Sequence, residues 1–429
     1  MRALHCIIIV LAITACAQEN NKIKPIGKSA CENSIKPDLG SDIDLSIYIE
    51  NSSSMDGYYD SDKHTDFIEV LQGLILRKNY TGTDNYYLIN NKQHPINLHP
   101  YELVKQLHPD SEIYKAGDRS KTNINDIVRI ITEDTKKNEV KILVSDCIYS
   151  LGKGDGLVGK LQTQGNITED FFGSILDSVK MEVLFMHLES TFNGIYYDIN
   201  NKRYQVDTIR PYYILVLGHE NAINKFLSKF DLNEFYDKGL KNYVLFEKEN
   251  DFPENVCSQI SGVPICGEYR KDIGDQSKLI DVKSGSCLDA VENSVMFTTK
   301  LNLDNFRGVT SQLSNPNNYR IKTESNIDAQ LVSITELDRD NPRNKNFTHQ
   351  ARLRFNRILK SNNSLEWIPV NPNWISEIST LDDTHFDTDK DVQSQTFGIE
   401  FFYSAISNAY ESKYGKKENC ELFKFNVQP

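Results

Sequence analysis

The chain of 429 residues is 39% apolar and 10% aromatic, which is enough to bury a full core and, by length, to form two domains. Sixty acidic against 48 basic residues leave a net charge of −12, and no Lys/Arg cluster is interleaved with aromatics. The electrostatic footprint of nucleic-acid binding is therefore missing, and the composition is that of a globular chain rather than a disordered one.

At the start, Met1 and Arg2 precede an apolar run over residues 6–13, followed by Thr14-Ala15-Cys16. The charge, the short core and the small-residue end have the form of an export signal, too short to span a bilayer. Ile13-Thr14-Ala15-Cys16 resembles the lipobox of bacterial lipoprotein signals. That resemblance implies that Cys16 is acylated and becomes the mature N-terminus, with each buried methylene contributing about 0.8 kcal/mol to membrane retention. The alternative is an ordinary cleaved signal with Cys16 a chance thiol. No later stretch reads as a transmembrane helix. The expectation is a bacterial cell-envelope protein held to a membrane by its lipid, outer membrane favoured because Ala17 is not acidic. Residues 17–40, rich in Asn, Lys, Pro and Ser, read as the leash. The remaining cysteines are Cys31, Cys147, Cys257, Cys266, Cys287 and Cys420, and an exported chain permits disulfides. Cys257, Cys266 and Cys287, close together in a Gly/Pro-rich region, are the candidates for a local bridge. There is no C-x-x-C, hence no zinc ribbon or thioredoxin-like site.

Over residues 41–249 short apolar runs alternate with helical spacing. Strands are predicted at 43–50, 86–89, 140–145, 181–188 and 211–217. Helices are predicted around Phe67 to Ile75, Ile124 to Ile131 and Ile223 to Phe230. Continuous apolar runs suit strands covered on both faces, so the expected fold is α/β, a doubly wound, mainly parallel sheet. Over residues 250–429 the pattern shifts to alternating runs at 295–301, 319–323, 331–337 and 350–355, expected to form a β-rich antiparallel sandwich. One late helix, over 396–410, carries Phe397, Phe401, Ile406 and Tyr410 and is expected to pack on those sheets.

In an open α/β sheet, polar groups at the carboxyl ends of strands converge on one crevice. The first strand ends in Glu50-Asn51-Ser52-Ser53-Ser54-Met55; Lys121-Thr122-Asn123-Ile124 opens a helix; Ile142-Leu-Val-Ser-Asp146 closes another strand. These supply carboxylates and hydroxyls, the hard oxygen ligands of Mg²⁺, Mn²⁺ or Ca²⁺. The pattern resembles the von Willebrand factor A domain, whose metal-ion-dependent adhesion site combines an Asp-x-Ser-x-Ser loop with a distant Thr and an Asp. The resemblance covers roughly residues 42–248. It implies a divalent-cation site, Mg²⁺ first, formed by Glu50, Ser52, Ser54, Thr122 and Asp146, with the carboxylate of a protein or carbohydrate partner completing the shell. Glu50 departs from the family's Asp by one methylene, and Cys147 stands where Gly usually follows the second Asp. The alternative is a structural envelope protein whose site has decayed. Tyr58-Tyr59 is read either as contact material for the partner or as packing on the sheet edge.

Other signals point elsewhere. Gly154-Asp155-Gly156-Leu157-Val158-Gly159 matches G-x-G-x-x-G, but the polar stretch 160–165 does not read as the helix a phosphate loop needs. His187 with Glu189 and His219 with Glu220 close two strands and suggest an N/O metal site, the basis of an alternative reading as a metal-dependent hydrolase of phosphoesters or esters. No H-E-x-x-H or G-x-S-x-G supports it. Asp382, Asp383, Asp387, Asp389 and Asp391 form an acidic stretch without EF-hand spacing, and Trp367 and Trp374 are either core anchors or a recognition surface.

Overall fold

The computed structural model describes residues 42–59, 65–76, 81–120, 122–149, 151, 156–197, 203–230, 232–247, 256–287, 293–304, 313–324, 328–356, 358–368, 395–415 and 420–429. Cys16, the leash, Lys121, Gly154, Asp155, Trp374 and the acidic stretch at 382–391 lie outside them.

Strand β1 (Asp44–Glu50) is buried over nearly all its length. It pairs in parallel with β2 (Asp84–Ile89) on one side and β4 (Glu139–Ser145) on the other. Ile47, Ile49, Val140, Ile142 and Val144 turn to one face, where they meet Phe67 and Leu71 of α1 (Asp66–Leu76), Leu103 of α2 (Pro100–Gln106) and Ile223 of α5 (Glu220–Lys229). Tyr48 and Leu143 turn to the other, against Ile127 and Ile131 of α3 (Ile124–Thr132) and Phe172 of α4 (Leu157–Ser178). Helices thus cover both faces, as the unbroken apolar runs require.

The sheet is mixed, which corrects the expectation of a mainly parallel one. β5 (Met181–Tyr197) and β6 (Arg203–His219), 17 residues each, form a single antiparallel hairpin. β6 runs antiparallel to β4, β5 runs antiparallel to β7 (Leu240–Phe246), and β3 (Gln93–Ile96) is an antiparallel edge. The order is β3-β2-β1-β4-β6-β5-β7. A strand buried on both faces has the same composition whichever way its neighbours run, so the apolar runs could not reveal direction. Past the β4 pairing, which ends at Tyr213, the hairpin continues as a two-stranded arm. Its Phe192, Tyr196 and Val206 pack toward the 3-10 turn Ser53–Tyr58. A Cβ on Gly57 would lie 2.5 Å from the Phe192 ring, so that contact admits only glycine.

Strands β8 (Ser258–Ile260), β11 (Val295–Leu301), β13 (Ala329–Glu336) and β14 (His349–Phe355) make a four-stranded sheet of order β13-β14-β11-β8. Strands β9 (Glu268–Lys271), β10 (Lys278–Lys283), β12 (Tyr319–Thr323), β15 (Ser361–Trp367) and β16 (Cys420–Val427) make a five-stranded sheet of order β12-β15-β16-β10-β9. The two share one core, in which Phe297 and Phe355 of the first meet Phe425 of the second. Trp367 is buried in it. Pairing is antiparallel except between β10 and β16. Cys266 and Cys287 are bridged, with Cα atoms 5.4 Å apart, and Cys257 is also disulfide-bonded. Among the described residues the free cysteine is the buried Cys147, and no helix is long and apolar enough to cross a membrane.

The late helix, α7 (Ile399–Tyr414), does not pack on these sheets as expected. Phe402, Tyr403, Ile406 and Tyr410 join Phe185, Tyr213 and Leu217 in the α/β core. The helix packs beside α4, where Gly165 lies next to Phe401. Phe402→Ala is expected to cost about 3–5 kcal/mol and to lower the unfolding transition that Leu143→Ala lowers. Denaturant unfolding of both variants beside Phe297→Ala checks it; a loss that follows Phe297→Ala instead would place the helix energetically with the sandwich.

Candidate functional site

Because β1 and β4 are parallel neighbours, their carboxyl ends meet. Glu50 closes β1, and Asp146 follows the last residue of β4. Both side chains are buried, each residue 3% exposed, so two carboxylates share a site almost without water. The Ser145 hydroxyl donates to Glu50 Oε2 and accepts the Cys147 N–H at 2.8 Å. Ser52 and Ser54 hydrogen-bond hydroxyl to hydroxyl at 2.9 Å, Ser52 facing Glu50 and Ser54 facing Asp146. Thr122, just before α3, also faces Glu50, yet its buried hydroxyl completes no hydrogen bond among the described residues. The five residues singled out in the sequence are thus brought together from three separate segments.

Burial, and then the Asp146 charge, push the Glu50 carboxyl up to about 8, against which the Ser145, Ser52 and Thr122 hydroxyls act only in part. Burial raises Asp146 as well, opposed by the Ser54 hydroxyl, the Ile148 N–H and the Arg210 guanidinium. Two carboxylates placed so retain a proton at neutral pH. Cys147 turns the chain out of β4 with φ 54°, the left-handed region that glycine enters freely, so a cysteine at this position carries a conformational cost.

A buried amide network holds the serine loop. Asn51 donates to the carbonyls of Tyr114 (2.7 Å) and Ala116 (2.9 Å), and Asn90 donates to Asn51 Oδ1 (3.1 Å) and to Ala116 O (2.9 Å). Gly117 makes this approach possible: its φ is 78°, and a Cβ there would fall 2.4 Å from Asn90 Nδ2. Arg119 completes the clamp, donating to Asn51 O at 2.7 Å and pairing with Asp56. The segment thus pinned runs on to Thr122 and the Asn123 cap of α3, where Asn123 accepts the Asn125 N–H at 3.0 Å. Asn51, Asn90, Gly117 and Arg119 were not legible as site residues. Arg210 was missed too; it is 1% exposed, its guanidinium 3.7 Å from the Tyr196 ring centroid, and it donates to the Gln395 carbonyl. Its one signal was a charge abutting the apolar run that begins at Pro211.

Of the two readings of Tyr58 and Tyr59, packing is the one the structure bears out: both are buried in a cluster with Phe67, Phe192, Tyr212 and Tyr114. Two expectations are corrected. Residues 160–165, set aside as non-helical, lie inside α4. His219 pairs with Met181 beside the start of β4, the opposite end of the sheet, roughly 20 Å from Asp146 at about 3.3 Å per residue. His187 lies at the correct end but two strands away, opposite Tyr213, on which it stacks, and 3.9 Å from Glu189, which also pairs with Lys241. Among the described residues no three His, Cys, Asp or Glu side chains cluster as metal ligands. A cation at Glu50 and Asp146 would rest on two carboxylates and three hydroxyls, a donor set suited to hard ions, with the unpartnered Thr122 oxygen among them.

Comparison with protein families, curated proteins and solved structures finds no match for the chain.

Burial, aided by the Lys241 charge, lowers the His187 imidazole from 6.5 to about 3. The unfolded chain takes up that proton first, so the stability is present in full above pH 6.5 and is lost as pH falls toward 3, by up to about 1.4 kcal/mol per pH unit. His187→Phe, which keeps the stack on Tyr213, should flatten this acid limb in equilibrium unfolding measured across that range; an unchanged limb would assign it to other groups.

Proposed function

We propose that the chain is a membrane-anchored extracytoplasmic lipoprotein that binds a protein or carbohydrate partner through a divalent cation at Glu50, Ser52, Ser54, Thr122 and Asp146. The observation that carries this reading is the meeting of those five oxygen groups, with a buried threonine hydroxyl left unpartnered where the two carboxylates face each other. The anchor rests on the lipobox-like Ile13-Thr14-Ala15-Cys16.

Bound there, Mg²⁺, or alternatively Mn²⁺ or Ca²⁺, would supply an electrophilic position to a carboxylate of the partner. Glu50 and Asp146 contribute the negative charge once their retained proton is displaced. Ser52, Ser54 and Thr122 add weak neutral donors, so the charge on the ion stays only partly compensated. Asn51, Gly117 and Arg119 fix the loop that carries the serines, sparing part of the entropy of ordering it. The likeness to the von Willebrand factor A domain lies in these loops and in the helix-covered parallel core β2-β1-β4. The antiparallel β5–β6 hairpin departs from it.

A second reading has support of its own. Ser145 already satisfies Glu50, and Ser52 bonds Ser54, as in a family scaffold whose site has closed on itself.

Thermal unfolding of the full chain in chelator and in each ion separates the two. An ion that binds only the native state raises its stability, by about 2.7 kcal/mol at a hundredfold excess over the dissociation constant. The rise should vanish in Ser52→Ala/Ser54→Ala, and it should be larger above pH 8 than below, because the ion displaces the Glu50 proton. No shift with any ion would leave the closed scaffold.

A further inference from the structure

The second half of the chain carries an arginine arrangement that nothing in the ion site uses. In β14 the side chains of Ala351, Leu353 and Phe355 point into the sandwich core. Arg352 and Arg354 therefore point outward together from the middle of the four-stranded sheet, roughly 7 Å apart at about 3.4 Å per residue. Arg354 lies opposite Met296, and Arg352 opposite Thr298, on β11. On the other side Arg354 faces Gln330 and Arg352 faces Ser333 of β13. Lys300, two residues beyond Thr298 on the same face, continues the basic row.

What distinguishes the pair is the lack of any counter-charge among the described residues. Elsewhere in the sandwich Arg270 meets Asp281, Arg320 meets Glu366 and Arg339 meets Asp304. Arg352 and Arg354 make no ion pair or hydrogen bond among the described residues, and the Nε of each is buried without a partner. Both are half-buried, with β11 on one side and β13 on the other. In a chain of net charge −12, two adjacent guanidinium groups without a carboxylate are an unbalanced charge. With Nε buried, each offers its terminal N–H groups end-on, a geometry that takes a carboxylate bidentately.

We propose that this face, centred on Arg352 and Arg354, binds an acidic, carboxylate-bearing polysaccharide. Charge complementarity selects the acid, and two forks at a fixed spacing select a polymer with repeated acidic groups over a single ion. The accessible neighbours include Thr298, Ser333 and Gln330, hydroxyls and an amide that hydrogen-bond to sugars, while the apolar Met296 opposite Arg354 is buried. The inference is independent of the ion site and of the lipid anchor.

The test is titration of the full chain, in chelator, with polygalacturonate, with neutral dextran and with vesicles containing phosphatidylglycerol. The wild type should bind polygalacturonate in a salt-dependent manner and bind neither of the others. Arg352→Gln/Arg354→Gln should weaken binding about tenfold or more, the loss expected for hydrogen bonds to charged groups. Arg270→Gln/Lys283→Gln, which removes the same charge from the other sheet, should leave it unchanged. Arg352→Lys/Arg354→Lys, which keeps the charge without the fork, should retain only part of the affinity. A circular-dichroism melt of each variant separates loss of binding from loss of fold. Equal loss in the two Gln double variants, absence of polygalacturonate binding by the wild type, or preference for the vesicles would each overturn the proposal.

Discussion

Two carboxylates buried side by side, Glu50 and Asp146, are the constraint on which the rest of the α/β unit depends. Taking one carboxylate out of water is unfavourable, and placing a second against it adds like-charge repulsion, so a fold that holds both must supply protons, hydrogen bonds or positive charge. This chain supplies some of each. Ser145 bonds Glu50, Ser54 and the Ile148 N–H reach Asp146, and the buried Arg210 stands near enough to lower the pKa of Asp146. The sum falls short, since the Glu50 carboxyl is still pushed up to about 8. A site left short of positive charge, with an unpartnered threonine hydroxyl facing it, is the basis of the proposal that a divalent cation binds there.

The architecture around the pair follows from that requirement. Parallel pairing of β1 with β4 brings the two strand ends together. The Asn51–Asn90 amides and Gly117 tie the serine loop to the segment that leads to Thr122. The long β5–β6 hairpin, whose antiparallel direction separates this sheet from a mainly parallel one, lays its arm along the 3-10 turn after the serines and carries Arg210 into the site. From the far end of the sequence α7 packs beside α4, and Gln395, just before it, accepts the Arg210 guanidinium. Stability and site geometry are therefore linked across more than half the chain.

Much of the candidate site could be assembled from the sequence because its oxygen groups are local. Glu50-x-Ser-x-Ser is contiguous, Thr122 precedes a recognisable helix cap, and Asp146 ends an apolar strand. The supporting residues were not, because their roles are set by tertiary contacts. Asn51 and Asn90 are ordinary loop residues in sequence, and Arg210 is simply a charge next to Pro211. The hairpin arm was partly within reach, since 203–207 alternate polar and apolar residues at strand period, but the apolar runs drew the boundaries too early. Helix α4 was obscured by Gly159, Gly165 and Gly173, which weaken the helical pattern in sequence yet lie within the helix. The direction of β6 and the packing of α7 could not have been read at all, because composition records burial and not topology.

The most direct measurement is the folding stability of Glu50→Gln beside the wild type, each in chelator and in Mg²⁺. If the two carboxylates are an unbalanced pair that a cation completes, the variant is the more stable protein in chelator at neutral pH, because a neutral amide need not take up the proton that Glu50 holds, and Mg²⁺ stabilises the wild type alone. If Glu50→Gln is destabilised in chelator and neither protein responds to Mg²⁺, then Glu50 is a hydrogen-bonded structural group, and the ion-dependent account is contradicted.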